Sequence, residues 1–207
     1  MIFFPLRHPK RLVATAVGLI LLGLFVQWGN VPVGIQAIEL MLNPVIQRDI
    51  VERHAQRFGE DPLFVTAVMK VESNFIKSAK SPRGAIGLMQ VMPSTAEEMA
   101  EELGLKNYTS ADLEAPETNI LVGTYYLSKL RKEYDSDNIL LLAAYNAGGK
   151  NVREWLKKKN RKSLDIKDIE FAETRKFVKE VLGTYRLLKR LQVWRDRIVQ
   201  WRNRKAA

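Results

Sequence analysis

Residues 72–90 read ESNFIKSAKSPRGAIGLMQ, and this stretch decides how the whole chain is interpreted. Ahead of it, Asp61 and Pro62 supply an N-cap and a proline at the first helical position, and apolar residues follow at helical spacing. Glu72 is therefore predicted to lie on the last turn of a buried helix. Because burial disfavours the charged form of a carboxylate, we expect the pKa of Glu72 to be raised, as a general acid requires. A solvated surface glutamate is the alternative.

Four blocks of this sequence resemble the catalytic domain of the soluble lytic transglycosylase family, whose relatives include goose-type lysozyme. The blocks follow the family's order and spacing and cover roughly residues 45 to 190. They are Glu72-Ser73-x-Phe75, Ser81-x-x-Gly84-Ala85-x-Gly87-Leu88-Met89-Gln90-x-Met92-Pro93-x-Thr95-Ala96, Ala144-Tyr145-Asn146-Ala147-Gly148 and Glu173-Thr174-Arg175. The resemblance implies a lysozyme-like domain. An all-α fold is also predicted from the residues, because no alternating strand pattern occurs in the chain.

The resemblance also implies a saccharide-binding groove with Glu72 as the catalytic residue. It assigns substrate binding to six further side chains, namely Ser81, Gln90, Met92, Tyr145, Asn146 and Glu173. From the residues alone, Met92 would be placed in the core. One position departs from the family, because Phe177 stands where a Tyr is usual and cannot supply the hydroxyl group's hydrogen bond.

The resemblance implies a reaction that needs only one catalytic carboxylate, whereas ordinary glycosidases use two. Glu72 would protonate the glycosidic oxygen between N-acetylmuramic acid and N-acetylglucosamine. It would then deprotonate the 6-hydroxyl group of the muramoyl sugar, which closes on the anomeric carbon to give a 1,6-anhydro product. The substrate is thus peptidoglycan, and no cofactor is expected. A hydrolytic lysozyme of the same fold and an inactive wall-binding protein are the alternatives.

Composition argues against several other classes of protein. The sequence contains no Cys and two His, so neither a disulfide framework nor a metal centre is expected. Its formal charge of +10 is uneven, with a net charge of +3 in residues 1–30, −5 in residues 31–149 and +12 in residues 150–207. We expect no nucleic-acid partner. The basic C-terminal helix is instead predicted to bind an anionic wall polymer or a lipid surface.

An apolar run, residues 12–26, follows the basic residues Arg7, Lys10 and Arg11. By the positive-inside rule this pattern predicts a membrane helix with the rest of the chain outside the cytoplasm. We therefore expect a single-pass protein of the cell membrane with an extracytoplasmic catalytic domain. The run is short for a complete span, and a cleaved signal peptide followed by secretion, or a buried core helix, are alternatives.

These patterns together predict four segments. They are an anchor with its cytoplasmic stub in residues 1–30, a linker in 31–42, the catalytic domain in 43–191 and a basic helical extension in 192–207.

Overall fold

The computed structural model describes residues 48–206, apart from the side chains of Arg202, Lys205 and Ala206. This part of the chain is helical, which confirms the all-α prediction. Its α-helices are α1 (Arg48–Phe58), α2 (Pro62–Ser73), α3 (Pro93–Glu102), α4 (Pro116–Glu133), α5 (Asn138–Ala147), α6 (Gly149–Lys159) and α7 (Ala172–Ala206), with short 3-10 helices at Ser110–Glu114 and Ile166–Asp168. Two isolated antiparallel bridges, which the sequence did not predict, pair Ile86 with Lys80 and with Val91.

Helix α2 begins and ends as its sequence predicts. The first amide groups of a helix have no carbonyl partner within it. Here the Asp61 side chain accepts a hydrogen bond from the Leu63 amide, and Pro62 has no amide proton, so two of these positions need no further partner. Asn74 follows the last turn in the left-handed conformation, with φ 49°, and closes the helix. Half of the residues between these caps are buried, among them Phe64, Val65 and Val68, so α2 is a core element with Glu72 one residue before its end.

Helix α2 packs along α7, and Asp61 links the two helices through hydrogen bonds. The Tyr185 hydroxyl donates to Asp61 Oδ2 at 2.7 Å, and Lys189 Nζ lies 3.2 Å from the same oxygen. The Tyr185 ring meets Phe64 edge to face, with centroids 5.3 Å apart. Partial burial opposes ionisation, but hydrogen bonds from Tyr185, Leu63 and Lys189 lower the pKa of Asp61. The start of α2 is therefore held against the middle of α7.

Helix α7 is continuous from Ala172 to Ala206, so the predicted extension, residues 192–207, prolongs a helix of the domain as far as residue 206. Its buried residues, which include Val178 and Val181, lie in the N-terminal half. Within residues 48–206 no helix combines the length and apolarity that crossing a membrane requires. The predicted anchor, residues 1–30, lies outside the described residues.

Candidate active site

A cavity of about 400 Å³ opens beside the last turn of α2. All seven side chains singled out from the sequence line it, and they come from four separate parts of the chain. They are Glu72, Ser81, Gln90, Met92, Tyr145, Asn146 and Glu173, joined in the lining by Pro82, Arg83 and Ala85. The fold therefore brings together residues that are about a hundred positions apart in the sequence.

Glu72 is partly buried in this cavity. Burial raises the pKa of Glu72 to about 8, and the negative charge of Glu173 adds to the effect. A carboxyl group with this pKa is largely protonated at neutral pH, so it can donate a proton to a bound molecule. The carboxylate left behind is then a much stronger base than an ordinary glutamate.

A tight turn between α2 and α3 supplies one wall of the cavity. Asn74 and Phe75 both have positive φ, 49° and 65°, and reverse the chain after Glu72. The Ser81 hydroxyl oxygen accepts a hydrogen bond from the Ala85 amide at 3.0 Å, which closes the turn around Gly84. Because the hydroxyl group of Ser81 acts here as an acceptor, its own proton remains available to a ligand.

Gln90 ends the same turn, and two hydrogen bonds hold its side chain there. Its Nε2 donates to the carbonyl oxygens of Ala79 and Gly87 at 3.0 and 2.8 Å. Both amide protons are thereby committed to the backbone, so Oε1 is the part of this side chain that can accept a hydrogen bond from a sugar. Gly87 has φ +81°, and a Cβ there would overlap the side chain of Asn119.

Asn119 of α4 is the principal residue that sequence reasoning missed. It is fully buried, its Oδ1 accepts from the Met89 amide at 2.8 Å, and its Nδ2 donates to the carbonyl oxygens of Ile86 and Leu113 at 2.8 and 3.0 Å. Asn119 thus attaches the turn between α2 and α3, which forms one wall of the cavity, to helix α4. An amide side chain beside Ile120, on the buried face of α4, was the available signal.

Tyr145 and Asn146 lie on the last turn of α5, where each is held by a hydrogen bond. The Tyr145 hydroxyl donates to the Met89 carbonyl oxygen at 2.7 Å, so it can offer a substrate only its oxygen as an acceptor. Burial raises the pKa of Tyr145 well above its usual value, and the charge of Glu72 contributes. Asn146 Oδ1 accepts from the Thr174 hydroxyl at 2.7 Å, which leaves its amide protons for a ligand.

Two other positions refine the sequence interpretation. Met92 is 39% exposed at the cavity and not part of the core, so the assignment made from the residues alone is wrong. Phe177 is buried and stacks against the Tyr145 ring, with centroids 6.4 Å apart and an angle of 8° between the planes. An apolar ring at this position therefore supports Tyr145 by packing.

A second cavity, of about 600 Å³, adjoins the first and extends over the start of α7. The two share Arg83, Asn146 and Glu173 in their linings. Arg83 Nη2 lies 3.0 Å from Glu173 Oε2, so an ion pair joins the turn after α2 to the first turn of α7. Arg83 sits among turn residues in the sequence, and nothing there indicated that it would meet a residue 90 positions away.

Comparison with known proteins places this geometry in a family. The transglycosylase SLT domain model matches residues 49–167, which is more than half of the chain. The soluble lytic murein transglycosylase of Escherichia coli is 36% identical over 145 residues, covering 68% of this chain and 22% of that protein. Membrane-bound lytic murein transglycosylase C of Haemophilus ducreyi is 37% identical over 108 residues, covering 48% of this chain and 29% of that protein.

Solved structures show the same fold. The crystal structure of the 70 kDa soluble lytic transglycosylase of Escherichia coli superposes with a TM-score of 0.68 and 32% sequence identity, covering 75% of this chain and 26% of that one. The match therefore spans about a quarter of the length of that protein. Since the family model covers more than half of the sequence and the lysozyme-like helical fold is shared, this chain belongs to the transglycosylase SLT domain family.

Proposed function

We propose that this domain is a lytic transglycosylase that cleaves peptidoglycan between N-acetylmuramic acid and N-acetylglucosamine and leaves a 1,6-anhydromuramoyl end. The observation that carries the proposal is the partly buried carboxyl group of Glu72, whose pKa burial raises to about 8, in a cavity lined by polar side chains. The family membership supports it, because the relatives described above are named as lytic murein transglycosylases.

Glu72 acts twice in the proposed reaction. It first donates its proton to the glycosidic oxygen as the bond from that oxygen to the anomeric carbon of the muramoyl sugar breaks. The carboxylate formed lies in a poorly solvated site near the negative charge of Glu173, so it is strongly basic. It then removes the proton of the 6-hydroxyl group, whose oxygen bonds to the anomeric carbon. Glu72 is regenerated, and no water or cofactor is consumed.

The remaining side chains bind and orient the sugars in this proposal. Ser81 and Asn146 present protons, whereas Gln90 presents an acceptor oxygen, which suits the mixed hydroxyl and N-acetyl groups of the glycan. Met92 supplies an exposed apolar surface for a sugar face. Removing one hydrogen bond to the developing charge of a transition state commonly costs about 2.7–4 kcal/mol.

Hydrolysis by a lysozyme mechanism is the competing function, and one observation favours it. Glu173 is a second carboxylate in the cavity of Glu72, and hydrolytic glycosidases generally use two. Glu173 is, however, 64% exposed and paired with Arg83, so its environment does not resemble that of a buried base. A third possibility is a protein that binds the wall without cleaving it.

Product analysis of purified cell wall separates these functions. The wild-type protein should release anhydromuramoyl products, and Glu72→Gln should lose cleavage by at least about 10²–10⁴-fold, because Gln can neither donate nor accept the proton. Glu101→Gln, at an exposed site on α3, is the matched control and should retain activity. Products with free reducing ends that carry oxygen from labelled water would establish hydrolysis. Absence of any turnover would leave only wall binding.

The proposal extends to the site of action. We place the domain outside the cytoplasm, anchored by residues 1–30, because three basic residues precede the apolar run and none of the acidic residues falls in this segment. One relative is named as membrane-bound, and the substrate itself lies outside the cytoplasm.

The basic part of α7, residues 175–205, is proposed to bind an anionic wall polymer or a lipid surface. Residues 175–205 carry 11 basic against 2 acidic residues. The side chains of Leu187 and Trp194 are 55% and 50% exposed, and a groove there is lined by apolar and basic residues together. A helix with both exposed aromatic residues and many cations has the character of an interfacial helix.

A further inference from the structure

Arg83 supplies positive charge to the lining of both cavities. Among the described residues, it is the only cation that lines either cavity, whereas Glu72, Glu170 and Glu173 contribute three carboxyl groups. The other charged residues of the lining are all glutamates, whose carboxylates would repel a negatively charged part of a substrate. Arg83 is the position at which it could be bound with favourable electrostatics.

The guanidinium group of Arg83 has room for a second anion. Its side chain is 76% exposed, and Nη2 is the nitrogen that contacts Glu173. A guanidinium carries five N–H donors in a planar fork that matches a carboxylate with two parallel hydrogen bonds. The ion pair with Glu173 is itself exposed, and such pairs are weak. Arg83 can therefore share its donors, or exchange Glu173 for another carboxylate, with little loss.

The surroundings of Arg83 suit a peptide more than a further sugar hydroxyl group. Arg83 faces both the cavity of Glu72 and the second cavity, which is bordered by Phe171, a ring that is 46% exposed. The muramoyl sugar carries a lactyl-linked peptide with free carboxylates and aliphatic side chains. The adjoining cavity shares Arg83, Asn146 and Glu173 with the cavity of Glu72, so it offers neighbouring space for this substituent when the muramoyl sugar lies at Glu72.

We propose that Arg83 binds a carboxylate of the peptide attached to the muramoyl sugar and makes the site selective for strands whose peptide carboxylates are not amidated. This inference rests on the proposed peptidoglycan-cleaving function. The ion pair with Glu173 serves to hold the guanidinium between the two cavities until the substrate carboxylate arrives.

The test compares Arg83→Gln with wild type on three forms of the same glycan strands: with free peptide carboxylates, with those carboxylates amidated, and with the peptides removed and the lactyl carboxylates so exposed amidated. On the first form, Arg83→Gln should raise KM roughly 2–5-fold with little change in kcat, as expected for loss of an exposed charge pair with a ground-state group. The difference between the proteins should vanish on the amidated form. Arg153→Gln is the matched control, since Arg153 also pairs with a glutamate, at 2.8 Å, and lines neither cavity.

Several outcomes would overturn the inference. Equal activity of Arg83→Gln and the wild type on free-carboxylate strands would refute it. An equal loss of activity on all three forms would also refute it, because it would indicate a general role in the groove. Failure of the wild type to cleave any form would refute the proposed function instead. In that event, calorimetric binding of a disaccharide peptide with free or amidated carboxylates still decides the role of Arg83, because equal affinities for wild type and Arg83→Gln would refute it.

Discussion

Replacing Glu72 by Gln should stabilise the protein at neutral pH while abolishing its reaction. The fold raises the pKa of this carboxyl group from 4.5 to about 8. Its contribution to stability is therefore complete below pH 4.5, where it is protonated in both states, and is lost as the pH rises towards 8. Glutamine has the same shape and no proton to lose, so it does not carry this penalty.

The expected magnitude follows from the size of the pKa shift. Each pH unit between the unfolded and folded pKa values costs about 1.36 kcal/mol, which gives roughly 3 kcal/mol at pH 7 and under about 1 kcal/mol at pH 5 as upper bounds. Glu72 is only partly buried, and solvent relaxation reduces the pH 7 figure to about 1.5–3 kcal/mol. For a domain of this size, that is a rise in Tm of roughly 4–10 °C.

Thermal unfolding followed by circular dichroism at pH 5, 6, 7 and 8 measures this effect. The control is again Glu101→Gln, which removes the same charge from an exposed site and therefore corrects for the change in net charge. The difference in Tm between Glu72→Gln and the control should grow steadily with pH. A difference that stays constant from pH 5 to pH 8, or a Glu72→Gln variant less stable than the control at pH 7, would refute the reasoning.

Four other outcomes are expected. The kcat for cleavage should fall about tenfold per pH unit above pH 8, where Glu72 loses its proton; a flat profile to pH 10 would argue against this acid. Asn119→Ala should lower the free energy of unfolding by about 2–5 kcal/mol in chemical denaturation, because it leaves the buried Met89 amide and Leu113 carbonyl oxygen without a partner, while the Ile86 carbonyl oxygen keeps the Val91 amide; a change under about 0.5 kcal/mol would contradict the role assigned to Asn119. Protease added to wall-stripped cells should digest the catalytic domain, and its protection would reverse the orientation predicted from residues 12–26. Truncation before residue 192 should weaken binding to anionic vesicles or wall polymer at low salt, where charges are least screened; unchanged binding would exclude this role for the helix end.

The sequence by itself determined the features that depend on near neighbours in the chain. The Asp61-Pro62 start of α2 and the position of Glu72 on its last turn were both predictable, because capping and helical periodicity act over a few residues. The gathering of the seven side chains around one cavity was predictable for a different reason. The residue types and their order in the four blocks resemble a known family, so side chains far apart could be grouped without knowing the fold.

Only the tertiary structure decided how those side chains are used. It directs the Tyr145 hydroxyl to a backbone carbonyl, places Met92 at the rim of the cavity and not in the core, and buries Asn119 as the support of the turn between α2 and α3. It also brings Arg83 to Glu173, across 90 positions of sequence. Burial and long-range hydrogen bonds depend on which elements pack together, and no pattern within a single helix or turn contains that information.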